Sequence, residues 1–169
     1  IHLENYLFHY LIIFDKLDIL KLHDFPIWKE NEEGLNGFML AAKEGNVNIL
    51  KYLINKYPDY IYNTNDYDDL FINFMGIKTL HEIINLKLDW KYLLEYRLAD
   101  DSKDIVFDTI LSDGTFKQIN DVLNVYKPFK PLNYLLTNEK LSDREIISIL
   151  KLFKPEQYNL RNNEDANLT

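Results

Sequence analysis

The chain has 169 residues, 47% of them hydrophobic, which suits one domain or a short array and excludes a disordered chain. Its 27 acidic and 19 basic residues leave a net charge of −8. That argues against a nucleic-acid backbone as partner, which needs clustered Lys and Arg, and leaves a basic protein partner open. With no cysteine, disulfides, zinc fingers and thiol catalysis fall away together, and a reducing compartment is the expected setting.

Residues 1–30 read as a worn helical pair. Leu7 to Phe14 is the most apolar stretch, but His9 and Tyr10 interrupt it and Asp15 ends it. It is too short for a membrane span and lacks the basic flank and small-residue cleavage site of a signal peptide. A helix buried against a neighbour is expected, with a second helix across Lys16 to Leu22. Asp24-Phe25-Pro26 closes the unit, because the residue before proline is driven out of helical geometry. Glu30-Asn31-Glu32-Glu33-Gly34 reads as an acidic, solvated connection.

The clearest stretch runs from Gly34 to Asp59. Phe38, Ala41 and Ala42 sit at helical spacing, and Gly45 stops that helix. Asn46 opens a second helix with Val47, Leu50, Leu53 and Ile54 on one face. Each helix is too short to stand alone in water, so the unit needs copies of itself beside it. Asp15 to Leu22 matches Gly45 to Tyr52 thirty residues later, with Phe8 on Phe38 and Leu11-Ile12 on Ala41-Ala42.

This stretch resembles an ankyrin repeat, whose pattern runs G-x-T-P-L-H-x-A-A, x-x-G, a second helix ending K-x-L-L, and then G-A-D. Gly34, Ala41, Ala42, Gly45, Asn46, Ile49, Leu50, Lys51, Leu53, Ile54 and Asp59 fall on matching positions. Asn36-Gly37-Phe38-Met39 replaces T-P-L-H, which removes the Thr–His hydrogen-bond pair of the family. The spacing of about thirty residues is close to the family period of about 33.

Further copies follow in order. Tyr57 to Asp69 starts as a hairpin tip, and the third repeat has two registers. One places its first helix at Phe71 to Met75. The other, preferred, places it at Lys78-Thr79-Leu80-His81-Glu82-Ile83-Ile84, with a second helix at Leu88 to Leu94 and an extended hairpin of about twenty residues before it. Asp100-Asp101-Ser102-Lys103-Asp104 reads as a polar connector in which Ser102 or Asp104 could cap the next helix. Ile110 to Gly114 matches Ala41 to Gly45, and Phe116, Ile119, Val122 and Leu123 form a second-helix stripe. Pro131 suits a first helical position, and Ser142-Asp143-Arg144-Glu145 reads as a capping box opening a helix with Ile146, Ile147, Leu150 and Phe153 inward.

The resemblance implies an all-α ankyrin-repeat solenoid of about five degenerate repeats with short β-hairpin connections. The repeats are drawn at 1–30, 31–64, 65–100, 101–127 and 128–158, with 159–169 starting a further, truncated one; the chain then reads as a piece of a longer protein. Abundant Asn, Ile, Tyr, Lys and Asp, as from an AT-rich genome, together with worn repeats resembles the ankyrin proteins of poxviruses and giant viruses.

No chemistry stands out. Glycine-rich phosphate loops and a G-x-S-x-G elbow are missing, and the histidines His2, His9, His23 and His81 lack a metal-binding spacing. His9 and His81 read as structural rings. Asp66, Asp68 and Asp69 lack the turn glycine and distal Glu of a calcium loop. The expectation is no enzyme, cofactor, metal, membrane, nucleic acid or small-molecule substrate. Aromatic content is high, with 12 Tyr and 10 Phe, and aromatic rings favour binding hot spots. Tyr57, Tyr60, Tyr62 and Tyr67 cluster with Asp66 and Asp68, and Trp28 lies on the preceding connection. These seven are the candidate partner-binding residues, on what the resemblance implies to be the hairpin tips and concave helix face. The expected function is a non-catalytic protein-protein interaction module in the cytoplasm, the host's if viral. The alternatives are an assembly subunit of a larger viral complex or an adaptor fragment recruiting host ubiquitin machinery.

Overall fold

A computed structural model describes residues 6–60, 70–86, 88–130 and 132–158. In chain order these form α1 (Leu7–Ile13), α2 (Leu17–Leu20), α3 (Gly37–Glu44), α4 (Val47–Lys56), a 3₁₀ turn (Phe71–Phe74), α5 (Ile77–Ile83) and α6 (Trp90–Tyr92), which runs into a π turn (Leu93–Arg97). Then come α7 (Asp100–Asp113), α8 (Phe116–Leu123), a second 3₁₀ turn (Asn133–Thr137), α9 (Asp143–Leu150) and α10 (Pro155–Tyr158). The chain divides into two compact units, one of residues 1–83 and 97–102, the other of residues 84–96 and 103–169.

In the first unit α1 packs on α2 and α3, α3 on α4 and the 3₁₀ turn, and α4 on α5. Both helical pairs close in the same way. After α1, Lys16 N–H donates to Leu11 O (2.7 Å) and Asp15 N–H to Ile12 O (3.2 Å), with Asp15 left-handed at φ 57°. After α3, Asn46 N–H donates to Ala41 O (3.1 Å) and Gly45 N–H to Ala42 O (3.2 Å), with Gly45 at φ 72°. This pair of hydrogen bonds, one from the left-handed residue and one from the residue after it, satisfies the last carbonyls of each helix. Phe8, Ile12, Phe38, Ala41, Leu50, Leu53 and Phe71 are among the buried core residues.

In the second unit α6 packs on α8, and Trp90, Leu93, Phe107, Ile110, Ile119, Val122, Leu135 and Ile149 are buried. Thr115 and Ser142 each form a reciprocal capping box, the latter through Glu145 N–H to Ser142 Oγ (3.2 Å) and Ser142 N–H to Glu145 Oε1 (2.9 Å). Side-chain amides tie successive helical pairs together inside each unit. Asn46 Nδ2 donates to Ile12 O, 34 residues back, and Gln118 Nε2 donates to Ile84 O (3.2 Å), also 34 residues back. Asn138 Nδ2 reaches Leu111 O (2.9 Å) and Gly114 O (2.8 Å).

Four expectations are corrected. The described residues are all helix, turn and loop, with no strand among them, so the ankyrin solenoid with short β-hairpin connections is set aside and only its all-α character stands. The connection from Ile27 to Gly37 shows why. Asn31 Oδ1 accepts the N–H groups of Glu33 and Leu35 (2.9 Å each), and Gly37 N–H donates to Ile27 O (2.7 Å). The loop spends its amides on itself, and Asn31 is buried within it rather than solvated. Asp100 to Asp104 is not a connector but the opening of α7, where carboxylates favour the helix dipole, so neither Ser102 nor Asp104 is an N-cap. On α9 it is Ile149, not Ile147, that is buried, because 146, 149, 150 and 153 follow the helical period and 147 turns out to solvent. Of the two registers for the third repeat, both first-helix segments are helical turns, at Phe71–Phe74 and Ile77–Ile83. Pro131 lies outside the described residues.

Candidate functional site

Trp28, Tyr57 and Tyr60 converge on one groove of the first unit. Trp28 sits on the self-closed loop, whose path is fixed by Gly37 N–H to Ile27 O and by Lys29 N–H to Pro26 O (2.9 Å). A third tie comes from α1. Tyr6 N–H donates to His9 Nδ1 (2.9 Å), so the ring's other nitrogen carries the proton and donates to Lys29 O (2.9 Å). Ile27 is buried and Trp28 is 62% exposed, so the loop anchors by one apolar side chain and presents the next.

The opposite wall is the end of α4. Tyr57 N–H still bonds Leu53 O (2.9 Å), and Pro58 ends the helix. Tyr60 stacks on Phe38 with ring centroids 4.2 Å apart and planes 6° from parallel, and Asn36 Nδ2 donates to its hydroxyl. Asn36 also caps α3, accepting Met39 N–H at 3.0 Å. Tyr57 meets Phe38 edge-on at 6.3 Å. Between these walls lies a groove of about 320 Å³, lined by the three candidate aromatics with Ile27, Phe38, Lys56, Pro58 and Asp59. A second depression of about 440 Å³ adjoins it, lined by Asp24, Phe25, Pro26 and again Trp28, Lys56 and Tyr57.

Lys56 is the electrostatic centre of the groove. Its ammonium pairs with Asp24 (2.7 Å), donates to Tyr52 Oη (3.2 Å), and lies 5.6 Å from the centroids of both the Tyr52 and Tyr57 rings. The hydrogen bond that Lys56 donates to Asp24 holds the lysine above its ordinary range, and the same bond, with the lysine charge, holds the Asp24 carboxyl below the usual carboxylate range. Lysine, carboxylate and rings therefore sit together at the mouth, with the positive charge paired.

Of the seven candidates, Tyr62, Tyr67, Asp66 and Asp68 lie outside the described residues. Tyr60 serves mainly to pack α3, Tyr57 is half-buried and Trp28 stands out to solvent. Sequence reasoning missed Phe38, Lys56 and Asp59 as lining residues. The spacing of Tyr52 and Lys56, four apart on one helix, was the available signal for the cation. Among the described residues no group of three His, Asp or Glu side chains comes together to hold a metal ion, and no helix is long and apolar enough to cross a membrane. No family model matches the chain, and no curated protein or solved structure matches it either.

Proposed function

We propose that this chain is a non-catalytic protein-interaction module whose binding face is the aromatic groove around Trp28. The observation that carries the reading is an indole left 62% exposed at the rim of a groove walled by Tyr57, Tyr60 and Phe38, on a loop tied down from three sides. Exposed aromatic rings on a rigid support bring contact area with few rotors to freeze, which is how binding hot spots are built. The lack of cysteine fits a cytoplasmic setting.

The test is affinity capture with mass spectrometry, comparing the native chain with Trp28→Ala and Tyr57→Ala. Specific partners held by the native chain are expected to drop at least tenfold with either variant while helical circular dichroism is unchanged. An identical captured set from all three chains would sink the proposal.

A further inference from the structure

We infer that the occupant of this groove is an extended, proline-rich peptide carrying a basic residue beside its proline run. The inference rests on the interaction reading above and adds the chemistry of the partner. Three polar tips point to it. The Trp28 indole N–H and the Tyr57 hydroxyl have no hydrogen-bond partner among the described residues, and the Asp59 carboxylate has no ion pair there. A groove of rings edged by unused donors suits a ligand rich in apolar rings and backbone carbonyls and poor in N–H groups. A polyproline segment is that ligand, since its carbonyls are unpaired and its prolines offer no amide hydrogen.

Shape agrees with chemistry. Two adjoining depressions share Trp28, Lys56 and Tyr57 as their common ridge. A polyproline helix repeats every three residues at about 3.1 Å each, so prolines one turn apart stand about 9 Å from one another and suit neighbouring depressions. The peptide is already extended, so little ordering entropy is lost on docking. Charge sets the flank. Lys56 is neutralised by Asp24, which leaves Asp59 to meet a cation, in a chain of net charge −8.

The experiment titrates the full chain with a fluorescein-labelled nonaproline peptide ending in arginine, read by anisotropy and by tryptophan emission. Trp28 is exposed and Trp90 is buried in the other unit, so a blue shift reports Trp28. Saturable binding with a Kd on the order of 10⁻⁴ M is expected, with a blue shift. Trp28→Phe, which keeps a ring and loses the donor, should weaken the anisotropy Kd at least fivefold, and Trp28→Ala should abolish binding. Asp59→Asn should weaken the arginine peptide about threefold and leave an arginine-free nonaproline unchanged. The inference fails if nothing saturates by millimolar peptide, if an alanine-for-proline version binds equally, or if Trp28→Ala binds as the native chain does. Failure of the peptide while partner capture still needs Trp28 removes only the proposed occupant. Failure of both removes the interaction reading too.

Discussion

The helical pairs α1–α2 and α3–α4 of the first unit close with the same hydrogen-bond clasp but are buried to very different degrees. All of Gly37 to Ala42 is buried in α3, whereas Leu7 and Tyr10 on α1 and Phe14 just after it stand 64%, 45% and 66% exposed. Neighbours account for this. α3 is covered by α1, α4 and the 3₁₀ turn at Phe71–Phe74, and α1 by α2 and α3. Local sequence sets the clasp and the helix; what lies beside the helix sets which apolar residues become core.

The largest effect should separate the second helices of the two pairs. Ile49 in α4 is fully buried and its counterpart thirty residues earlier, Ile19 in α2, is 44% exposed. Ile49→Ala should cost about 2–5 kcal/mol, and Ile19→Ala about 0.5 kcal/mol or less, by urea unfolding followed by circular dichroism. Equal losses would mean that the pairs are buried alike in solution.

Next comes the start of each first helix, where Gly37 stands thirty residues after Leu7. A Cβ on Gly37 would lie 2.5 Å from Ile27 Cγ2 and 3.1 Å from Ile27 O, so the loop that presents Trp28 comes in where only glycine leaves room. Gly37→Ala should cost about 1–3 kcal/mol and loosen that loop, and Leu7→Ala should be near neutral. A native melting curve for Gly37→Ala would place the loop elsewhere.

A smaller effect tests the clasp. Asp15 at φ 57° bears strain that Gly45 at φ 72° does not. Asp15→Gly should stabilise by a few tenths to about 1 kcal/mol, and Gly45→Asp should destabilise by about 1 kcal/mol. If both changes moved the urea midpoint in the same direction, the clasps would not be equivalent.

Helix positions were legible in the sequence because burial imposes a 3.6-residue period that Phe38, Ala41, Ala42, Leu50 and Leu53 display. The slip from Ile149 to Ile147 shows the limit, since Ile146, Ile147 and Ile149 crowd into four residues with only the small Ser148 between them to mark the edge of the stripe. Charge misled at Asp100 to Asp104, where a solvated connector and an acidic first turn look alike. Asparagine was the least legible. Its abundance was read as genome composition, yet Asn31, Asn36, Asn46 and Asn138 bind loop amides, cap a helix and tie pairs together. Those partners are chosen by the path of distant backbone, which no local pattern records. The groove was half legible for the same reason. Trp28, Tyr57 and Tyr60 could be picked as aromatics, and Lys56 and Asp59 flank Tyr57 in the chain, but Trp28 and Phe38 come together with them only because the loop closes at Ile27 and Gly37.

The subtlest contrast is one of pH. Where the second pair buries Met39, the first buries His9. Burial pushes the His9 pKa below the ordinary imidazole value of 6.5, against a weaker upward pull from its bond to Lys29 O. The unfolded chain therefore binds a proton more readily than the folded one, and stability rises with pH. The His9 contribution is complete above about 6.5 and is lost as pH falls from there through the lower value of the folded ring. Asp24 is lowered as well, but from 3.8, so its contribution is lost in a separate, more acidic window. Urea midpoints should thus fall between pH 7.5 and 5.5 in the native chain, and His9→Gln, which can still accept from Tyr6 N–H, should flatten that slope. Because the ring also donates to Lys29 O, beside Trp28, the emission of Trp28 should respond over the same interval in the native chain only. An unchanged slope in His9→Gln would assign the pH response to other groups and leave the two pairs alike in this respect.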